Sequence, residues 1–214
     1  MSSRYLEMTP PIAAALKAGT PVVAIETGFF MRLPYPKNLS ALQECEQAFW
    51  RRDCVPCCIA VVDGKLKAGL THEDMEAICQ TQAVCSRSEL PGLVGNRGTA
   101  SADPSATMAV ARMAGIVPVM VPGLSDSVSD LDALASSRCL IFSGKLSEEK
   151  RMLLNSRGIP VLDVEPNELA DAFLVQRDLE LSECTVAPCG FTLGDIAEKS
   201  SASALAIKRK TSYA

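Results

Sequence analysis

One histidine, one tryptophan and 5% aromatic residues are thin resources for a chain of 214 residues. The sole imidazole, His72, sits in the acidic turn Thr71-His-Glu-Asp74, which resembles the start of a capped helix. A poly-histidine metal site is therefore excluded, and a Ser–His–Asp relay would have to recruit a solvated helix start. Positive charge is not in excess either. Against 25 Asp and Glu stand 21 Lys and Arg, for a net charge of −4. That excludes a basic nucleic-acid surface. No apolar run reaches the roughly 20 residues of a membrane span. The opening MSSRYLEMTPP lacks the apolar stretch of a secretory signal. A dinucleotide fingerprint is missing too, because Gly95-Asn-Arg-Gly98 lacks the third glycine and the strand context. Gly144-Lys145 follows an apolar run, but Cys139 stands where a P-loop needs glycine.

What is present suits one soluble, cytoplasmic domain over residues 1–214. A hydrophobic share of 48% is enough to bury a sizeable core. Short apolar runs alternate with helical patterns. Strand-like runs are Pro21–Glu26, Cys57–Val62, Lys65–Ala68, Ile116–Val121, Cys139–Phe142, Pro160–Leu162 and Cys184–Ala187. Helices are expected over Ile12–Lys17, Leu39–Arg52, Thr71–Cys79, Ser105–Ala114, Asp130–Ala135, Ser147–Ser156, Asn167–Val175 and Leu193–Lys199. Asp63-Gly64 between two strand-like runs signals a hairpin. Residues 27–38 carry no periodicity and read as a loop, and 81–104 are broken by Gly92, Gly95, Gly98 and Pro104. The Lys208-Arg209-Lys210 stretch reads as a solvated end. The alternation predicts an α/β fold with a mostly parallel central sheet. In such sheets ligands sit beyond the carboxyl ends of strands, which directs attention to the loops after Glu26, Val121 and Phe142.

Cysteine is the one composition signal out of line, with nine in the chain and Cys54-Val-Pro-Cys57-Cys58 close together. Metal binding needs a second ligand pair at a suitable spacing, and the other cysteines are scattered. A redox pair is the other alternative. Core packing is the reading adopted, since Cys57 and Cys58 fall within a strand-like run.

Three stretches carry a family resemblance. Ala24-Ile-Glu26-Thr27, with Leu33-Pro-Tyr-Pro-Lys-Asn38 shortly after, resembles the A-L-E-S-T and P-Y-P-x-N signature of pseudouridine-5'-phosphate glycosidases, the indigoidine synthase A-like family. Val55-Pro-Cys-Cys-Ile-Ala-Val-Val-Asp63-Gly64 and Ala68-Gly-Leu-Thr71 are similar to its V-P-A-T-I-A-x-x-D-G and V-G-L-T segments. Ser86-Arg-Ser-Glu-Leu-Pro91, with Ala106-Thr-Met108 and Ala114-Gly-Ile116, resembles S-R-R-D-L-P and the pieces after it. The similarity runs in order through residues 10–165 and is faint beyond. The C-terminal part reads as shortened or divergent.

The resemblance implies a three-layer α/β/α fold, a homotrimer and a divalent metal such as manganese. It implies cleavage of the C–C bond joining uracil to ribose 5-phosphate, so the partner is a phosphorylated C-nucleoside. No heteroatom leaves such a bond, so protonation alone does not break it as it does an O-glycoside. The family reaction opens the sugar and captures its anomeric carbon as a lysine imine, an electron sink. Glu26 matches the acid/base carboxylate. Lys145 matches the imine-forming lysine, with one residue missing before it. Asp126 matches the metal aspartate, with a helix cap as the alternative. Ser129 and Asp130 match substrate contacts, and Arg87 is a candidate phosphate contact beside Arg32 and Arg97.

Departures from the pattern cluster at the site. Met31-Arg32 replace a loop that carries a histidine, Val84 stands at a lysine position, and Ala102-Asp103-Pro104 replace T-T-V near the phosphate. The stretch between Gly123 and Asp126 is shortened. A catalytically impaired paralogue that keeps the fold and binds a metabolite or an active partner is therefore the alternative to an enzyme.

Overall fold

The computed structural model describes residues 4–122, 139–142, 148–159, 161–162, 171–175, 184–188 and 193–211. The strands are β1 (Leu6–Met8), β2 (Val22–Glu26), β3 (Val55–Val62), β4 (Lys65–Ala68), β5 (Val84–Cys85), β6 (Ala100–Ala102), β7 (Pro118–Val121), β8 (Cys139–Phe142), β9 (Val161–Leu162) and β10 (Cys184–Pro188). Eight of them follow one another in the order β1-β4-β3-β2-β7-β10-β8-β9, and β5 joins through β6. All described pairings are parallel except β3 with β4 and β3 with β6.

The eight residues of β3 are all buried, as a central strand covered on both faces requires. Pro56 is tolerated there for a geometric reason. The N–H of Val55 points to β2, where it meets Pro21 O at 2.8 Å, so the missing N–H of Pro56 faces the other edge. On that edge β4 pairs only from Ile59 onward. Asp63 and Gly64, with φ of 49° and 72°, make the tight turn from β3 to β4.

Helices α1 (Pro10–Lys17), α4 (Leu90–Asn96) and α5 (Pro104–Ala114) cover one face of the sheet. Helices α2 (Lys37–Trp50), α3 (His72–Thr81) and α7 (Leu193–Thr211) cover the other. Between α5 and α7 lies α6 (Glu148–Ser156). Alternation along β2 splits the core between these layers. Val22 and Ala24 join the α5 side, with Cys57, Ile59 and Met108, whereas Val23 and Ile25 meet Leu42, Phe49 and Cys58 on the α2 side. The expected three-layer α/β/α fold is what forms.

The cap of α3 is made as its sequence predicts. Asp74 N–H donates to Thr71 Oγ1 at 3.1 Å, and Thr71 N–H donates to the Asp74 carboxylate at 3.0 Å. His72 stands exposed at the helix start. Elsewhere the fold differs from the expectation. Within the expected loop 27–38, Gly28–Arg32 form a 3₁₀ helix. The glycine-broken stretch 81–104 folds into β5, α4 and β6. Helix α7 continues to Thr211, so Lys208, Arg209 and Lys210 form its last turn, and Lys210 pairs with Asp171. The expected helix Asp130–Ala135 lies outside the described residues.

The cysteine cluster is core. Cys45, Cys54, Cys57, Cys58, Cys79 and Cys85 are buried and free of disulfides. Burial pushes the Cys45 and Cys85 thiols up to about 12 and those of Cys54 and Cys79 to about 11. At mildly alkaline pH these thiols stay protonated and covered. A thiol-specific chromogenic reagent is expected to reach at most three of the nine cysteines in the native protein, and all of them in denaturant.

Glu46 on α2 is partly buried beside this cluster and accepts a hydrogen bond from Cys58 Sγ at 3.3 Å. Burial raises its pKa above the ordinary 4.5, and the bond from Cys58 only partly opposes this. The folded state thus prefers the neutral carboxyl. That contribution is complete below the unfolded pKa and is lost as pH rises through the folded one. Glu46→Gln is expected to raise the urea midpoint at neutral pH, with the gain shrinking toward acid pH.

Candidate active site

Register lines up the carboxyl ends of the parallel strands. Ile25 pairs with Met120, so Glu26 stands level with Val121, which pairs with Pro188. Val186 pairs with Ile141, which puts Phe142 at the same edge. Glu26 is the last residue of β2 and only 2% exposed. Strand alternation puts it on the face of Ala24, which α5 covers.

The chain turns sharply after Glu26. Thr27 leaves the extended region, at φ −82° and ψ −27°, and its carbonyl accepts from Phe30 N–H at 3.1 Å. Its fully buried hydroxyl donates to Ile59 O at 2.6 Å and accepts from Ala102 N–H at 3.0 Å. A Cβ on the next residue, Gly28, would lie 2.7 Å from Ala102 O and 2.9 Å from Val84 Cγ1. Farther along, Asn38 Nδ2 donates to Cys79 O at 2.8 Å and Gln82 Nε2 donates to Leu33 O at 2.9 Å. These bonds anchor the Leu33–Asn38 loop to the carboxyl end of α3.

The amino end of α5 adjoins this tip, because Ala102 directly precedes its cap. Asp103 accepts from Ala106 N–H at 2.8 Å and from Ser105 Oγ at 2.8 Å. Its own N–H donates to Cys85 O at 2.9 Å. The Asp103 carboxylate therefore occupies the positive end of the α5 dipole. Ser105 Oγ also accepts from Arg87 N–H at 2.8 Å.

Of the residues expected at the site, Glu26 and Arg87 are described. Both flank the start of α5, Glu26 through Thr27 and Ala102, and Arg87 through Ser105. The Arg87 side chain is exposed and lines a groove of about 670 Å³ with Tyr5, Leu66, Leu90, Val94 and Met113. Arg32 stacks on Phe29, 5.2 Å from the ring centroid, and Arg97 closes α4 in a left-handed conformation. Asp126, Ser129, Asp130 and Lys145 lie outside the described residues. Among the described residues no group of three or more His, Cys, Asp or Glu is gathered to hold a metal. Also among them, no helix is long and apolar enough to cross a membrane. Two residues that shape the site, Thr27 and Ser105, had no site role in the sequence, where Thr27 stood only as a motif residue and Ser105 as a helix start. Thr27 directly follows the motif glutamate, and that adjacency was the available signal.

Residues 11–144 match the family model described as indigoidine synthase A like protein. The chain belongs to that family. Among its curated members, a pseudouridine-5'-phosphate glycosidase of Petrotoga mobilis is 30% identical over 77% of this chain and 60% of its own length. One of Staphylococcus aureus is 28% identical over 86% of the chain and 66% of its own. One of Deinococcus radiodurans is 37% identical over 85% and 64%. The chain thus spans somewhat under two thirds of the length of these relatives. The fold agrees with that of an indigoidine synthase A-like protein from Thermotoga maritima, at TM-score 0.69 and 19% identity over 100% of this chain and 89% of that one. It also agrees with the prealnumycin C-glycosynthase AlnA, solved with ribulose 5-phosphate, at TM-score 0.69 and 17% identity over 98% and 91%.

Of the residues expected to depart from the resembled pattern, Val84 packs its Cγ1 against Gly28 beside the strand tip. Asp103 serves as the α5 cap. Gly28→Ala is expected to destabilise the fold by about 1–3 kcal/mol, read from the urea midpoint, because the obstructing atom is a backbone carbonyl that cannot move aside.

Proposed function

We propose that the chain is an enzyme that cleaves the C–C glycosidic bond of pseudouridine 5'-phosphate, or of a related C-glycoside, to uracil and ribose 5-phosphate. The observation that carries this reading is Glu26. It is a carboxylate almost wholly out of water, at the carboxyl tip of a central parallel strand, level with the ends of three neighbouring strands. A carboxyl group shielded from water at the ligand edge of an α/β sheet is suited to acid/base work. The names carried by the curated relatives support the substrate class.

In this reading Glu26 moves protons to and from the sugar and the base carbon. Lys145 adds its amine to the anomeric carbon of the opened sugar. As the C–C bond breaks, the nitrogen lone pair forms the imine, and the bond's electron pair leaves with the base carbon, which takes a proton. Water then releases ribose 5-phosphate and the free lysine. Lys145 follows Phe142 by three residues in the chain. Asp126, Ser129 and Asp130 come after Val121, the last residue of β7, in the chain. Ser129, Asp130 and Arg87 hold the polar substrate. A divalent metal such as manganese, with Asp126 as a ligand, a homotrimer and a cytoplasmic location belong to the same reading and rest on the family resemblance.

A catalytically impaired paralogue is the second reading, and two observations favour it. The Asp103 carboxylate caps α5 beside the strand tip, where it repels a phosphate dianion. The apolar Val84 packs there as well.

The deciding assay gives purified protein pseudouridine 5'-phosphate and manganese, with borohydride to trap the imine. Release of uracil and a reduced sugar adduct on Lys145 are expected, with kcat falling roughly 100- to 10,000-fold in Glu26→Gln. Well-folded protein that yields neither product nor adduct overturns the enzyme reading and leaves the paralogue.

A further inference from the structure

Strand β3 shares one edge between two partners. It pairs with β2 from Val55 to Ile59, then with β6 at Ala60 and Val61. With β4 filling the opposite edge from Ile59 to Val62, β2 and β6 must meet end to end on this one. At such a junction the ladder breaks. The β2 ladder ends with Glu26 opposite Ile59, and the chain turns into the 3₁₀ helix at Thr27. The Ile59 carbonyl and the Ala102 N–H, both buried, are left facing the gap. An orphaned buried backbone group is expensive.

One atom fills the gap. Thr27 Oγ1 gives its proton to Ile59 O at 2.6 Å and takes the Ala102 N–H at 3.0 Å. Only a short hydroxyl side chain can donate and accept from a single atom at this distance from the backbone. We propose that Thr27 is the positioning residue for Glu26. Its hydroxyl rivets the β2 tip to β3 and β6 and thereby fixes the direction of the neighbouring carboxylate. Ile25 is held by its ladder and Thr27 by this rivet, so the backbone of Glu26 is clamped on both sides. Ala102 leads straight into the Asp103 cap. The same bond therefore sets the spacing between Glu26 and the amino end of α5.

The inference rests on the acid/base reading of Glu26, and the test separates the two. Thr27→Val, Thr27→Ser and Glu26→Gln are assayed for uracil release from pseudouridine 5'-phosphate. Thr27→Val keeps the shape and removes the hydroxyl. Its kcat is expected to fall roughly 10- to 100-fold with KM within about twofold, as misplacement of a reacting group by about an ångström does. Its solvent deuterium isotope effect on kcat is expected to rise, because proton transfer becomes limiting. Thr27→Ser is expected to restore both. Hydrogen exchange at the Ala102 amide is expected to be slow in the wild-type and serine proteins and fast in the valine variant. If Thr27→Val does not fold, Thr27→Cys, a weaker donor and acceptor of nearly the same size, takes its place with an expected intermediate loss. Wild-type kcat in the valine or cysteine variant, a serine variant as impaired as the valine one, or fast Ala102 exchange in the wild type overturns the proposal. Undiminished turnover in Glu26→Gln overturns instead the reading on which it rests.

Discussion

Buried backbone groups must find partners, and in this molecule that demand is concentrated at one break in a ladder. Strand β3 cannot pair with β2 along its whole length, because β2 stops at Glu26. The remaining edge is taken by β6, which arrives antiparallel from the opposite direction. The break between them is where the proposed acid/base residue sits, where the 3₁₀ helix begins and where α5 starts. One threonine hydroxyl satisfies the two groups the break leaves open. Gly28 then lets the backbone pass a carbonyl at a distance that no side chain would allow. The irregularity that ends this strand lies at the sheet edge where ligands sit in folds of this kind.

The chemistry of the edge follows from its walls. A carboxylate on the α5 face gains from a neighbouring helix N-terminus. Here that terminus is already answered by Asp103, held in turn by Ser105. The Asp103 carboxylate beside the strand tip raises the cost of admitting a further anion, such as a phosphate. The proposed enzyme therefore needs cations from beyond these residues, and Arg87 is tied to the same serine through its backbone N–H. The unusual cysteine content has no part in this. Those thiols fill core positions on both faces of the sheet, where burial holds them protonated.

Much of the architecture was legible in the sequence because its signals are local. The helix over Ile12–Lys17, the Asp63-Gly64 hairpin and the Thr71–Asp74 capping box each depend on nearby residues, and each formed. The apolar runs that became β2, β3, β7 and β8 were also visible, though their ends moved by a residue or two. Residues 81–104 were not legible. Their strands of two and three residues are too short for a period to show, and they exist only because β3 offers an edge to pair with. Nor was the length of α7 legible. Its central Ser200-Ser-Ala-Ser203 has weak helical propensity, and packing against α2 and the sheet overrides it.

By itself the sequence determined the alternation of strands and helices and, through motifs of adjacent residues, the family and the glutamate that its signature contains. It also determined that the cysteines would pack, because their neighbours are apolar. Only the tertiary structure decided what surrounds Glu26. Thr27, Ile59 and Ala102 are separated by tens of residues, and nothing in their types announces a shared hydrogen bond. Val84 reaches Gly28, and Ser105 joins Arg87 to Asp103, through pairing of β5 with β6 that no local pattern encodes. Sheet pairing is a contest among distant edges, settled by total burial and by the need to leave no polar group open. The candidate site is the place where that contest ended without a continuous ladder.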